Sequence, residues 1–249
     1  MKKLIIVADD FGWTRPINEG LVRSYEEGIV SEISLMLNSP ATDHALQFIK
    51  KHRLNNVGLH MLLINKQNFN RDDYVKLFQN KSSASIEKLA ISELELFEKL
   101  VGKKPTHIIP QYGIHGNLKL LQILINYVKE ENIPMRIPRT ALSNANPDEN
   151  YAAEIMFKRS GIKTTNYLFG HVTGCDLVEV RDKFLDELRI VKEGESAEIL
   201  LHPGYFGAEI LKYSSVGYER ARDLALSLDD SFKKSIMKMG FEILSYSQL

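Results

Sequence analysis

A single cysteine, Cys175, stands among 249 residues, which excludes an internal disulfide and agrees with a reducing compartment. Net charge is missing too. The 32 Lys and Arg offset the 32 Asp and Glu, and no run of one sign would track a phosphate backbone or an anionic bilayer. Nucleic acid is therefore not an expected partner. Long apolar runs are also absent. Leu4 to Ala8, after Met1-Lys2-Lys3, meets Asp9 at once, so the stretch is too short for a signal peptide. No segment approaches the roughly 18 apolar residues of a membrane span. The expectation is a cytoplasmic protein that engages no membrane. Nothing in the sequence sets an oligomeric state.

What is present is ordinary globular material, 44% apolar and 26% charged, enough to bury a sizeable core. Short β-rich segments alternate with helical ones from end to end, the pattern of a parallel sheet with crossover helices. Strands are expected at 3–8, 33–37, 57–60, 105–109, 135–137, 165–169, 198–201 and 241–244. Helices are expected at 16–29, 41–51, 85–101, 118–131, 150–160, 178–193 and 217–238. The polar segment 64–82 reads as an excursion over one mouth of the fold, and 140–150 as a loop. With no internal repeat and no linker, the order predicts a single α/β domain over 1–249. Its expected form is a (β/α) barrel, irregular or short of a full eight strands, with an open doubly wound sheet as the alternative.

Chemistry-bearing residues fall at the ends of these strands. Asp9 and Asp10 close the first in "IIVADDFG", His60 closes "NNVGLH", and His202 closes "AEILLHPG". In a parallel sheet these ends share one face, where such enzymes place their chemistry. Adjacent carboxylates repel, so burying both calls for a cation, a shared proton or two separate roles. One can hold a metal while the other takes a proton from water activated on it; a turn or a helix cap is the plainer alternative. Asp10-Phe11-Gly12 is no kinase signature, because a Gly-rich loop and a catalytic His-Arg-Asp are both missing.

In order, "VADDFG", "VGLHMLL", "KPTHI", "MRIPR" and "LLHPG" resemble the YdjC-type carbohydrate deacetylases, which include chitooligosaccharide deacetylases, over about residues 3–205. The resemblance implies a barrel of the deacetylase and glycosidase type, one divalent metal ion (Mg²⁺ or Zn²⁺), and removal of an N-acetyl group from an amino sugar or short oligosaccharide. It assigns Asp9 as general base, Asp10 and His60 as metal ligands, and His202 as the acid or oxyanion-side group. The stretch "THIIPQYGIH" departs from the family, which carries an Asp and a ligand His there; Ile109 and Gln111 stand in those places, and Gly113 replaces a further His. Three outcomes follow: Gln111 serves as a weak ligand, His115 or His107 moves in, or the metal is lost. The last would leave a non-catalytic carbohydrate-binding descendant. Arg136 is a candidate for binding a substrate oxygen through its rigid fork, and Trp13 and Tyr112 are candidates for stacking on a sugar ring.

Overall fold

In a computed structural model the described residues are 1–65, 69–138, 147–170, 174, 176–213 and 216–249, with the backbone alone for 147–150. Cys175, Arg139 and most of the expected 140–150 loop lie outside them. In chain order the elements are β1 (Lys2–Phe11), α1 (Arg15–Glu27), β2 (Glu32–Met36), α2 (Thr42–His52), β3 (Val57–Met61), α3 (Arg71–Asn80), α4 (Ser83–Val101), β4 (Ile108–Pro110), α5 (Leu118–Glu131), α6 (Pro147–Ser160), β5 (Tyr167–Phe169), α7 (Leu177–Leu188), β6 (Ser196–Leu201), α8 (Ala208–Tyr213), α9 (Tyr218–Ser227), α10 (Asp230–Lys238) and β7 (Phe241–Ile243). Two 3₁₀ segments, Gln111–Gly116 and Tyr246–Gln248, complete them.

The seven described strands form one parallel sheet in the order β4-β3-β2-β1-β6-β5, curled into a half-barrel; β7 pairs with β1 off this path. The ten-residue β1 is long enough to serve three neighbours. Its whole body, Lys3 to Ala8, pairs with β6, its first residues with β7 and its last with β2. Side chains alternate along it. Leu4, Ile6 and Ala8 join the main core beneath the helices, while Ile5 and Val7 meet Ile109 and Tyr246 on the inner face.

The expected strand at 135–137 is reduced to one bridge, Ile108 with Met135. Pro134 and Pro138 bracket it, and a proline cannot donate to a ladder. The expected helix 217–238 is two helices, because Asp229 caps α10 by accepting from the Ser231 N–H. Within the 64–82 excursion, α3 starts on an Asn70 capping box with Asp73. None of these differences moves the strand ends that carry the candidate residues.

Candidate active site

The two adjacent aspartates reach one cavity because the strand that carries them is broken in register. Ala8 pairs with Ile33 and Phe11 with Leu35, so three steps along β1 match two along β2. Such a bulge re-aims side chains that regular alternation would send to opposite faces. Asp10 takes the left-handed conformation at φ 76°, which aspartate tolerates better than most residues. At Gly12, φ is 101° and an added Cβ would lie 2.7 Å from the Met36 carbonyl oxygen, so glycine is required there. Asn18 holds this corner, accepting from the Gly12 N–H at 2.6 Å and donating to the Ala41 carbonyl at 3.0 Å.

Asp9 is buried and fully engaged. Arg136 donates to Oδ2 from Nη1 at 2.6 Å and to Oδ1 from Nη2 at 3.2 Å. Burial opposes its ionisation, but the Arg136 charge and its hydrogen bonds outweigh this and hold its pKa far below the usual carboxylate range. The same guanidinium donates from Nε to Glu198 Oε1 at 2.6 Å. Arg136 is thus committed to two buried carboxylates, and its fork already has its partners.

Ser34 links Asp9 to His60. Its hydroxyl donates to Asp9 Oδ1 at 2.9 Å and lies 3.0 Å from His60 Nδ1. A hydroxyl has one proton to give, so with Asp9 as its acceptor Ser34 accepts from Nδ1–H, and Nε2 then carries the lone pair. Burial lowers the His60 pKa against the pull of Asp9 and Asp10, which favours this neutral form. Nε2 meets the side-chain Oε1 of Gln111.

Asp10 is ion-paired with Arg220 at 2.6 Å, both side chains being nearly inaccessible. Burial works against its charge, yet Arg220 above all lowers its pKa overall. His115 is buried; its Nε2 lies 2.9 Å from the Arg136 carbonyl oxygen, and its Nδ1 has no hydrogen-bond partner. Burial brings its pKa down to about 4. Asp10, His60, Gln111 and His115 line one cavity of about 920 Å³.

Among the described residues no group of three His, Cys, Asp or Glu side chains is gathered closely enough to hold a metal ion. The donors lining the cavity are mixed: the carboxylate of Asp10, the imidazoles of His60 and His115 and the amide of Gln111. The His60 and Gln111 side chains are in direct contact, so an ion held by both would have to part them. These donors suit a hard divalent cation, although a neutral amide binds Zn²⁺ less well than a second imidazole would.

The other expected residues line the same cavity. His202 lies at the mouth of β6, its backbone N–H donating to Asp223 Oδ2 at 2.8 Å. Trp13 is buried, with Phe69 stacked on it at 5.4 Å. Tyr112 stands against Phe69 and Tyr74 edge-on, with Arg71 over its ring at 5.1 Å. One face of each candidate stacking ring is therefore already covered by protein. His107 is not brought to the cavity. It lies on the inner face beside Glu32, 3.2 Å from its carboxylate, and stacks on Tyr246.

Sequence reasoning missed Ser34, Glu198, Arg220 and Tyr246. Two left a trace: Glu198 and Ser34 are polar residues inside apolar strands, "AEILL" and "EISLM". Arg220 sits on a polar helix, where nothing local separates a buried arginine from a solvated one.

Known proteins are similar to this chain in sequence and in fold. The profile of the YdjC-like protein family matches residues 3–238. A carbohydrate deacetylase of Clostridium beijerinckii is 28% identical over 260 residues, covering 99% of this chain and 100% of the relative. A chitooligosaccharide deacetylase of Escherichia fergusonii is 26% identical, covering 99% of each. Among solved structures, an Enterococcus faecalis protein ascribed to cellobiose-phosphate cleavage superposes with a TM-score of 0.80 at 21% identity, covering 99% of this chain and 98% of that one. That likeness extends to the fold.

Proposed function

We propose that this chain, which belongs to the YdjC-like family, is a carbohydrate N-deacetylase that hydrolyses the acetamide of an amino sugar or short oligosaccharide. The observation that carries the reading is the buried Asp9–Arg136 pair beside Asp10, His60 and His202 in one cavity. Relatives named as carbohydrate deacetylases along the full length support it. Residues 1–249 act as one unit in this reading.

Asp9, kept ionised by Arg136, takes a proton from the attacking water. Ser34 and Arg136 together fix both of its oxygens, so its position is set before substrate arrives. His202 gives a proton to the departing amine, which makes it a poor nucleophile and a good leaving group. Asp10, His60 through Nε2 and Gln111 through Oε1 would hold a divalent metal ion, Mg²⁺ or Zn²⁺; when bound it would polarise the acetamide carbonyl and acidify water. His115, with its unpartnered Nδ1, is held in reserve as a further ligand. Trp13 and Tyr112 shape the sugar-facing wall.

A second reading has its own observations. Arg220 already neutralises Asp10, and Gln111, a neutral amide, stands where the resemblance implies a metal-ligating imidazole. These favour a descendant that binds a glycan without hydrolysing it.

Acetate release from a panel of N-acetylated amino sugars and chitooligosaccharides, with Mg²⁺ or Zn²⁺ in excess, separates the two. The deacetylase reading expects acetate and free amine in equal amounts. Glycan binding by calorimetry without acetate would replace it with the second reading. Gln111→His is expected to raise metal retention after dialysis towards one ion per chain, as read by elemental analysis. Unchanged retention would remove Gln111 from the ligand set.

A further inference from the structure

Arg136 is held from behind as well as in front. Its Nε and Nη2 both point at Glu198 Oε1, at 2.6 and 2.5 Å. Glu198 is completely buried in the middle of β6, so its second oxygen also needs a partner. That partner is the hydroxyl of Tyr246, which donates to Oε2. Tyr246 comes from the 3₁₀ segment after β7, whose residues meet Ile5, Val7 and Ile109 inside the half-barrel.

The tyrosine is itself located on several sides. Its backbone N–H donates to Glu32 Oε1 at 2.7 Å. The other oxygen of Glu32 accepts from Thr106 Oγ1 at 3.0 Å and lies 3.2 Å from His107 Nδ1. The His107 ring, in turn, stacks on Tyr246 with centroids 4.7 Å apart. Both ring and main chain are therefore fixed, and the hydroxyl has one place to be. Burial and the Glu198 charge keep it protonated and hence a donor.

We propose that Tyr246 is a positioning residue for the reaction: it occupies Glu198 Oε2, so that Glu198 holds Arg136 through Oε1 alone and Nη1 of Arg136 stays on Asp9 Oδ2. The physical reason is competition for one guanidinium. A buried carboxylate oxygen deprived of its donor carries a penalty, and Glu198 relieves it by turning Oε2 towards Arg136. That second contact draws the guanidinium from Asp9 and lets the base swing, and small misplacements of reacting groups cost large factors in rate. The inference rests on reading Asp9 as the base, so its test has one arm that does not depend on turnover.

The experiment compares the parent chain with Tyr246→Phe, which keeps the ring and removes the hydroxyl. The first readout is the side-chain Nε–H resonance of Arg136 in a ¹H–¹⁵N spectrum, assigned by its loss in Arg136→Lys. In the parent it is expected as a single, slowly exchanging signal, and in Tyr246→Phe it is expected to shift and exchange faster. The second readout is acetate release, where kcat is expected to fall about tenfold with KM within about twofold, as for a modest misplacement of a reacting group. An unchanged Arg136 signal, or an unchanged kcat, overturns the proposal. If the parent releases no acetate, the base assignment fails while the Arg136 signal still decides whether Tyr246 positions the guanidinium. If Tyr246→Phe does not fold, Glu198→Gln carries the same readouts, and a parent-like Arg136 signal there overturns the relay.

Discussion

Arg220, carried on α9, closes on the carboxylate of Asp10 at 2.6 Å, across 210 residues of chain. The contact makes the second aspartate of the pair an internally neutralised one. Removing one partner of a buried pair costs about 3–5 kcal/mol, so Arg220→Met is expected to lower the melting temperature sharply. It also uncovers a carboxylate for a cation. Added Mg²⁺ or Zn²⁺ should then raise the melting temperature of Arg220→Met by more than it raises that of the parent. Equal metal-dependent shifts would show that Arg220 does not compete for Asp10.

Glu93, on α4, ties down the chain that leaves β3. Its two oxygens accept from the Leu62 and Leu63 N–H groups, each at 2.7 Å, and Leu63 is held at φ 60°. Burial outweighs these bonds and raises its pKa from 4.5 to about 7. The folded state thus binds the proton more tightly than the unfolded one. Stability from this group is complete below about pH 4.5 and is lost as pH rises to about 7, by about 3 kcal/mol in all. Urea unfolding at intervals across that window should show the decline. Glu93→Gln should flatten it, and a slope that survives the substitution would assign it to another group.

Gly20 of α1 packs directly on the loop that follows His202. A Cβ at this position would lie 2.6 Å from the Gly204 Cα, backbone against backbone, so neither side can yield cheaply. Gly20→Ala is expected to cost about 1–3 kcal/mol and to push the His202-Pro203-Gly204 turn outwards. Acetate release should fall more than stability alone explains. A variant with the parent's melting temperature and kcat would show that the turn does not depend on this contact.

The strand ends were legible because apolar runs stopping at Asp, His or His-Pro-Gly are local signals. Asp9, Asp10, His60 and His202 accordingly share the cavity that their spacing anticipated. The bulge at Asp9 and Asp10 was not legible, since it arises from pairing with β2 and not from the residues themselves. Nor were the partners of Arg136. A lone arginine in "MRIPR" looks the same in sequence whether it faces a substrate oxygen or two buried carboxylates, and the choice is made by β1 and β6 folding beside it. His107 shows the converse. Its place in "KPTH" suggested the site, but it lies two residues before Ile109, the partner of His60, and so deeper in the half-barrel, against Glu32 and Tyr246.

Whether Asp9 acts as a base in amide hydrolysis is decided by acetate release from the parent and from Asp9→Asn on one N-acetylated chitooligosaccharide with divalent metal in excess. The substitution retains the shape of the side chain but leaves an amide that cannot accept the proton. Steady acetate release is expected from the parent, with a loss of at least about a hundredfold in the variant, in line with the roughly 10²–10⁴ that general base catalysis supplies. Equal release by both proteins would contradict the base assignment.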